Sequence, residues 1–223
     1  MKFSLRPASN EAGLAFSGVA ILGAMLVFAP LIMGGNRPLP LLILELAAIA
    51  LLFLLLLRPS FEQHLSRPLL IALGLLVALP LLQLLPLPDF VSNWLPGRDF
   101  YAAASSAAGV TPKYRTVSLI PNATESALLA LLVPLAVFLA TVSTSETQLK
   151  QLVNLFIGLA VLQAIIGLAQ FGTGSMTVLA SLEGEGVSAA HGTYPNSDHL
   201  AGLLEMALPV ALGLLIANIQ IGG

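Results

Sequence analysis

The chain has 223 residues, of which 57% are hydrophobic and only 9% are charged, and its formal net charge is −2. Charged residues make up about a quarter of a typical soluble domain, so this chain has too little polar surface for a water-soluble globule and is predicted to be a membrane protein. The small net charge shows no basic surplus for binding nucleic acid, and the absence of cysteine excludes disulfides and thiolate metal sites.

Hydropathy predicts an all-α fold, a polytopic transmembrane helical bundle that forms a single domain over residues 1–223 and has the lipid bilayer as its solvent. Six apolar segments have about the length that crosses a bilayer as a helix: residues 14–33, 39–57, 69–86, 125–142, 150–171 and 199–219. The first segment is too long for the apolar region of a signal peptide and lacks a small-residue cleavage pattern. We therefore expect it to remain as a membrane helix.

The distribution of Lys and Arg predicts a cytoplasmic N-terminus. In that orientation five of these residues lie on the inner side and four on the outer side, but three of the outer four are in one long loop. The positive-inside rule has less force in long loops, so the imbalance favours this orientation. The two large outer loops are then residues 87–124 and 172–198.

The loop 87–124 carries aromatic and cationic side chains. Four aromatic residues fall within a dozen positions: Phe90, Trp94, Phe100 and Tyr101. They are expected to lie at the depth of the lipid headgroups, with a platform for a sugar or lipid substrate as the alternative. The cations Arg98, Lys113 and Arg115 are expected to be solvated loop charges, and Arg98 and Arg115 are the candidates for attracting a phosphate-bearing substrate.

Polar residues inside the predicted helices are the next candidates. Glu45 lies in the outer half of the second helix, where an ionisable group is costly unless it is paired or hydrated, so it is a candidate for substrate binding. Gln163, Gly167 and Gln170 share one face of the fifth helix. We expect the two glutamines to make hydrogen bonds between close-packed helices.

The most polar junction of the chain is the segment 191–205, HGTYPNSDHLAGLLE. It supplies six further substrate-binding candidates: His191, Tyr194, Asn196, Asp198, His199 and Glu205. The sixth helix is expected to begin after Asn196, Ser197 or Asp198, any of which can cap it, and its N-terminus is a natural place for an anionic phosphate. Four residues have helical spacing and form a stripe that we expect to face into the bundle: Asp198, Gly202, Glu205 and Pro209.

Metal and nucleotide chemistry have little support in the sequence. His191 and His199 lack the spacing of the HExxH pattern, and no second cluster of metal-ligating residues accompanies them. The chain contains no GxSxG elbow, P-loop or GxGxxG fingerprint. No metal or cofactor is therefore predicted.

The run from residue 191 to residue 209 resembles the signature of the O-antigen ligase and polymerase family, in which G-T-F/Y is followed by N-x-N-H-x-A-G-x-L and an apolar helix with proline. Residues 84–88, the turn at 94–97 and residues 118–121 are similar to the first large outer loop of those proteins. In this chain Ser197 stands where the family often has arginine, and Asp198 stands at its second asparagine. The exchange removes a cation and adds a negative charge, which predicts a cavity wall more than a reacting centre.

The resemblance implies a GT-C-like fold in a bacterial inner membrane. Members of the family take a glycan from undecaprenyl pyrophosphate and transfer it, on the periplasmic side, to a lipid A core, another glycan or a protein, without nucleotide sugar or metal. Their catalytic arginine and histidine lie in later outer loops. Catalytic residues are therefore expected beyond residue 223, in a longer protein of which this chain would be the N-terminal half.

Two other functions fit the same features. Carboxylates within the membrane and broken helices are natural in a transporter or flippase, although the chain shows no interrupted helices in two related halves. The chain could also be a non-catalytic membrane scaffold in which the polar junction only caps a helix. The resemblance favours the glycan transferase over both.

Overall fold

The computed structural model describes residues 8–35, 37–58, 65–92, 94–110, 115–173 and 190–222. These residues contain eight α-helices: α1 (Ala8–Leu31), α2 (Pro38–Leu56), α3 (Arg67–Leu84), α4 (Asp89–Ser92), α5 (Arg98–Ala107), α6 (Pro121–Val142), α7 (Glu146–Thr173) and α8 (Ser197–Gly222). The described part of the chain contains no β-strand, only one isolated bridge between Pro86 and Thr116. The prediction of an all-α fold is confirmed for these residues.

Five helices in the described part of the chain are long and apolar enough to cross a membrane: Pro38–Leu56, Arg67–Leu84, Pro121–Val142, Glu146–Thr173 and Ser197–Ala217. The chain is therefore a multi-pass membrane protein. The first predicted span, residues 14–33, falls largely on α1, whose described apolar stretch is Phe16–Leu31.

The chain divides into two compact units. The first, here called the bundle unit, comprises Met1–Phe61 and Ala136–Gly223, and the second, here called the loop unit, comprises Glu62–Leu135. Helices α1, α2, α7 and α8 belong to the bundle unit. The loop unit contains α3, α4 and α5 with the first part of α6.

In the bundle unit, α1 packs against α2 and α7, and α7 packs against α8. A tight turn joins α1 to α2 through Gly34 and Gly35, whose φ angles are +68° and +70°. Glycine is needed here for its conformation and for space, since a Cβ on Gly35 would lie 2.5 Å from Leu44 Cδ1. Proline at the first position of α2 suits a helix start, where an N–H would have no partner.

The buried face of α8 differs from the predicted one. Leu200, Leu203 and Ala207 pack in a cluster with Ala160 of α7, which is typical of an apolar face at helical spacing. The prediction that the stripe of Asp198, Gly202, Glu205 and Pro209 faces into the bundle is wrong: Asp198, Glu205 and Pro209 are exposed, and Gly202 is half-buried. In a bilayer the buried face is determined by close packing between helices, and here Leu200, Leu203 and Ala207 provide that packing against α7.

In the loop unit, the segment that precedes α6 returns alongside the end of α3. The Leu87 N–H donates to the Arg115 carbonyl at 2.6 Å, and the Ser118 N–H donates to the Gln83 carbonyl at 2.9 Å. Arg98, the first residue of α5, binds the backbone of this segment. Its Nη2 donates to the carbonyls of Thr116 at 2.5 Å and Val117 at 2.6 Å.

Candidate functional site

Two glutamines of α7 are completely buried, each with 0% exposure, and both bind the junction that precedes α8. Gln170 Nε2 donates to the Gly192 carbonyl at 2.7 Å, and Gln170 Oε1 accepts from the N–H groups of Gly192 at 2.9 Å and His191 at 3.3 Å. The amide thus pairs with Gly192 through one donor and one acceptor, as a neighbouring β-strand would. A buried amide is tolerated only when its polar groups are paired in this way.

Gln163, which lies about two helical turns before Gln170, makes a second set of hydrogen bonds. Its Oε1 accepts from the Thr193 N–H at 2.9 Å, and its Nε2 donates to Thr193 Oγ1 at 2.7 Å and to the Pro30 carbonyl at 3.2 Å. The Pro30 carbonyl, near the end of α1, also accepts from the Thr193 hydroxyl. The prediction that the glutamines bond between packed helices is confirmed for Gln163, which joins α7 to α1.

Two glycines make room for this arrangement. Gly192 has a φ of +61°, and a Cβ there would overlap Gln163 Oε1. A Cβ on Gly167 would lie 2.9 Å from Leu200 Cδ2 and 3.1 Å from the Cβ of Ala190. Gly167 therefore lets the junction approach α7 closely. We call Gln163, Gln170, Gly192 and Thr193 together the glutamine clamp.

The clamp fixes the residues that follow it. Tyr194 is only 9% exposed, and its ring lies against Gly34, where a Cβ would be 3.0 Å from Tyr194 Cδ1. Burial raises the pKa of the Tyr194 phenol. Asn196 Oδ1 accepts from the Asp198 N–H at 3.0 Å, so Asn196 caps α8, as one of the three predicted options.

The two histidines of the junction have different surroundings. His199 is exposed, and its ring centroid lies 6.2 Å from that of Tyr194 at an angle of 47°. His191 is partly buried, and its Nδ1 has no hydrogen-bond partner in the described part of the chain. The exposed polar surface here thus combines an imidazole with the side chains of Asn196 and Asp198. These groups can donate and accept hydrogen bonds, but Asp198 opposes the binding of an anion at this helix N-terminus.

The candidates Arg98 and Arg115 lie in the loop unit and line one cavity of about 320 Å³. Arg98 uses its guanidinium to hold the backbone of residues 116 and 117, so its primary task is structural. Arg115 is exposed. The remaining polar lining consists mainly of hydroxyl groups: Ser92, Tyr101, Ser105, Ser106, Thr116 and Ser118.

The remaining candidates from the sequence stand apart from both sites. Glu45 is half-buried on α2, and Glu205 is exposed on α8. Neither carboxylate makes an ion pair within the described ranges. No group of three or more metal-ligating side chains comes together in those ranges.

Sequence reasoning missed the hydroxyl-lined cavity and the role of Thr193. Serines in a short loop helix carry no motif, and a threonine next to glycine is an ordinary loop residue. The signal that could have pointed to Thr193 was the pair Gln163 and Gln170, since buried amides require partners.

No protein-family model, curated protein or solved structure matches the chain.

Proposed function

We propose that the chain is part of an integral membrane enzyme that takes a glycan from undecaprenyl pyrophosphate and transfers it to an acceptor, or polymerises it, on the periplasmic side of a bacterial inner membrane. The observation that carries this proposal is the junction of residues 191–209, whose sequence resembles that of O-antigen ligases and polymerases. The multi-pass helical fold is compatible with a lipid-linked substrate.

The residues of this junction differ in their hydrogen bonds and in their exposure. Gly192 and Thr193 are held in the glutamine clamp, and Asn196 caps α8. His199 is left exposed at the start of the helix. In the proposed enzyme, His199 and Asn196 bind hydroxyl groups of the glycan.

The pyrophosphate requires a cation, and Arg115, which is exposed and lines the cavity, is the candidate in the loop unit. Arg98 lines the same cavity but is half-buried against the backbone of residues 116 and 117. In the proposed reaction this chain contributes substrate binding, and the catalytic arginine and histidine come from a further part of the full-length protein. The chemistry needs neither a nucleotide sugar nor a metal.

A transfer assay with the full-length protein tests the proposal. Reconstituted protein is given a lipid-linked glycan and an acceptor, and the product is quantified for wild type, His199→Ala and Arg115→Ala. Lys150→Ala is a matched control, because this exposed cation pairs only with Glu146 of its own helix in the described structure.

We expect transfer to fall about tenfold or more in both site variants, which is a loss of about 1.4 kcal/mol of transition-state binding. The control should retain wild-type activity. Unchanged transfer in both variants would show that the site residues are wrong, and absence of transfer by the wild-type protein would refute the function.

A further inference from the structure

The cavity of the loop unit has a hydroxyl-rich lining. Ser92 is only 1% exposed, Tyr101 and Ser105 are half-buried, and Ser106 is exposed. Hydroxyls at the surface of a cavity can exchange their hydrogen bonds with water for hydrogen bonds with a ligand.

Serines and threonines in the helices that follow make local hydrogen bonds. Six hydroxyls in or next to α6 and α7 donate to the carbonyl four residues earlier: Thr124, Ser126, Thr141, Ser143, Thr144 and Thr173. This local bond is the usual way for a helical serine to satisfy its hydroxyl. Ser105 and Ser106 of α5 make no such bond, although the carbonyls of residues 101 and 102 are at the same spacing. These two residues line the cavity instead.

Away from Arg115, the chemistry of the lining favours a neutral polyol over a phosphate. A hydroxyl can both donate and accept, which matches the hydroxyl groups of a sugar. A phosphate offers acceptors only, and the lining also contains Asp99, whose carboxylate would repel it. One of the two cations, Arg98, already binds two backbone carbonyls.

The size and apolar part of the cavity agree with this ligand class. A volume of about 320 Å³ is at the lower end of the range for small-molecule sites, which is about 300–1,000 Å³. That suits a single sugar unit or a short fragment of a glycan. Ala102, Val110, Leu119 and Pro121 supply hydrocarbon for the apolar face of a sugar ring.

We propose that this cavity is a carbohydrate subsite that binds one sugar unit through the hydroxyls of Ser92, Tyr101, Ser105 and Ser106. The inference deepens the proposed function and rests on it for the source of the sugar, which would be the lipid-linked glycan. The binding itself depends only on the cavity.

Binding without transfer tests the proposal. The purified full-length protein in lipid nanodiscs is titrated with N-acetylglucosamine, galactose, the glycan released from its lipid carrier, and inorganic pyrophosphate. Affinity is measured by calorimetry and by saturation-transfer NMR. The sharpest variant is Ala102→Phe, which places a ring in the cavity, and its matched control is Ala103→Phe on the same exposed helix but outside the lining.

We expect at least one of the sugars to bind, Ala102→Phe to abolish binding, and Ala103→Phe to retain it. The double variant Ser105→Ala with Ser106→Ala should weaken binding about tenfold, whereas Ser126→Ala, whose hydroxyl bonds within its own helix, should not.

Two results would overturn the subsite: no binding by any sugar including the released glycan, or sugar binding that Ala102→Phe leaves unchanged. If sugars bind as expected but the wild-type protein transfers no glycan, the proposed function fails and the subsite stands. If transfer proceeds but no sugar binds, the subsite fails alone.

Discussion

Replacing Gln170 by leucine should release the junction from α7. Leucine has a similar volume but cannot pair with the Gly192 N–H, the Gly192 carbonyl or the His191 N–H, so three hydrogen bonds are lost. Each bond contributes about 0.5–1.5 kcal/mol net, and Gly192 is buried, so its groups cannot turn to water without local opening. The sum is about 2–4 kcal/mol, which shifts the opening equilibrium of this segment by about 30- to 1,000-fold.

Hydrogen exchange of the amides of residues 191–193 measures this opening directly. Exchange should accelerate most at Gly192 and His191, and less at Thr193, because its N–H is held by Gln163. Gln148→Leu, in the first turn of the same helix, is the control, since among the described residues its side chain bonds only to Ser145 Oγ, from which it accepts. If Gln170→Leu accelerates exchange by less than about threefold at Gly192, the clamp does not hold the junction and the energetic reasoning fails.

Three further predictions concern stability. Gly192→Ala should lower the free energy of unfolding in denaturing detergent by at least about 1–2 kcal/mol, because alanine is strained at a φ of +61°, whereas Gly158→Ala, with no atom within 4 Å of its Cβ, should not lower it. Burial raises the pKa of the Tyr194 phenol, so this phenol ionises at a lower pH in the unfolded chain than in the folded chain, and the folded state should lose stability as the pH rises above about 10. Melting curves recorded over this pH range should show a smaller decline for Tyr194→Phe than for the wild-type protein. Arg98→Ala should expose the backbone at residues 116 and 117 to limited proteolysis, and an unchanged cleavage pattern would contradict its structural role.

The spacing of Gln163, Gly167 and Gln170 predicted that they share a face of one helix and that the glutamines bond to a packed neighbour. The structure agrees on both points, since all three are buried and Gln163 reaches the Pro30 carbonyl. The sequence could not predict that most of their partners are backbone groups of residues 191–193. Backbone N–H and carbonyl groups are the same at every residue, so they leave no pattern by which a partner can be recognised.

The buried face of α8 could not be predicted from helical periodicity. Asp198, Glu205 and Pro209 do share a helical spacing, but so do Leu200, Leu203 and Ala207, and the latter are buried. On a helix of a soluble protein, a polar stripe would be predicted to face water. In a membrane helix nearly every face is apolar, so the alternation that distinguishes inside from outside is weak, and small packing differences determine the face.

Arg98 and Arg115 looked equivalent in the sequence, as two cations of one loop, yet they require different experiments. Loss of transfer in Arg98→Ala would report the release of Thr116 and Val117, and with them the wall of the cavity. Loss in Arg115→Ala, with the proteolysis pattern of the loop unit unchanged, would report a charge that faces the substrate. The separation matters because the guanidinium of Arg98 holds two backbone carbonyls, so a change at Arg98 alters the wall of the cavity as well as its charge.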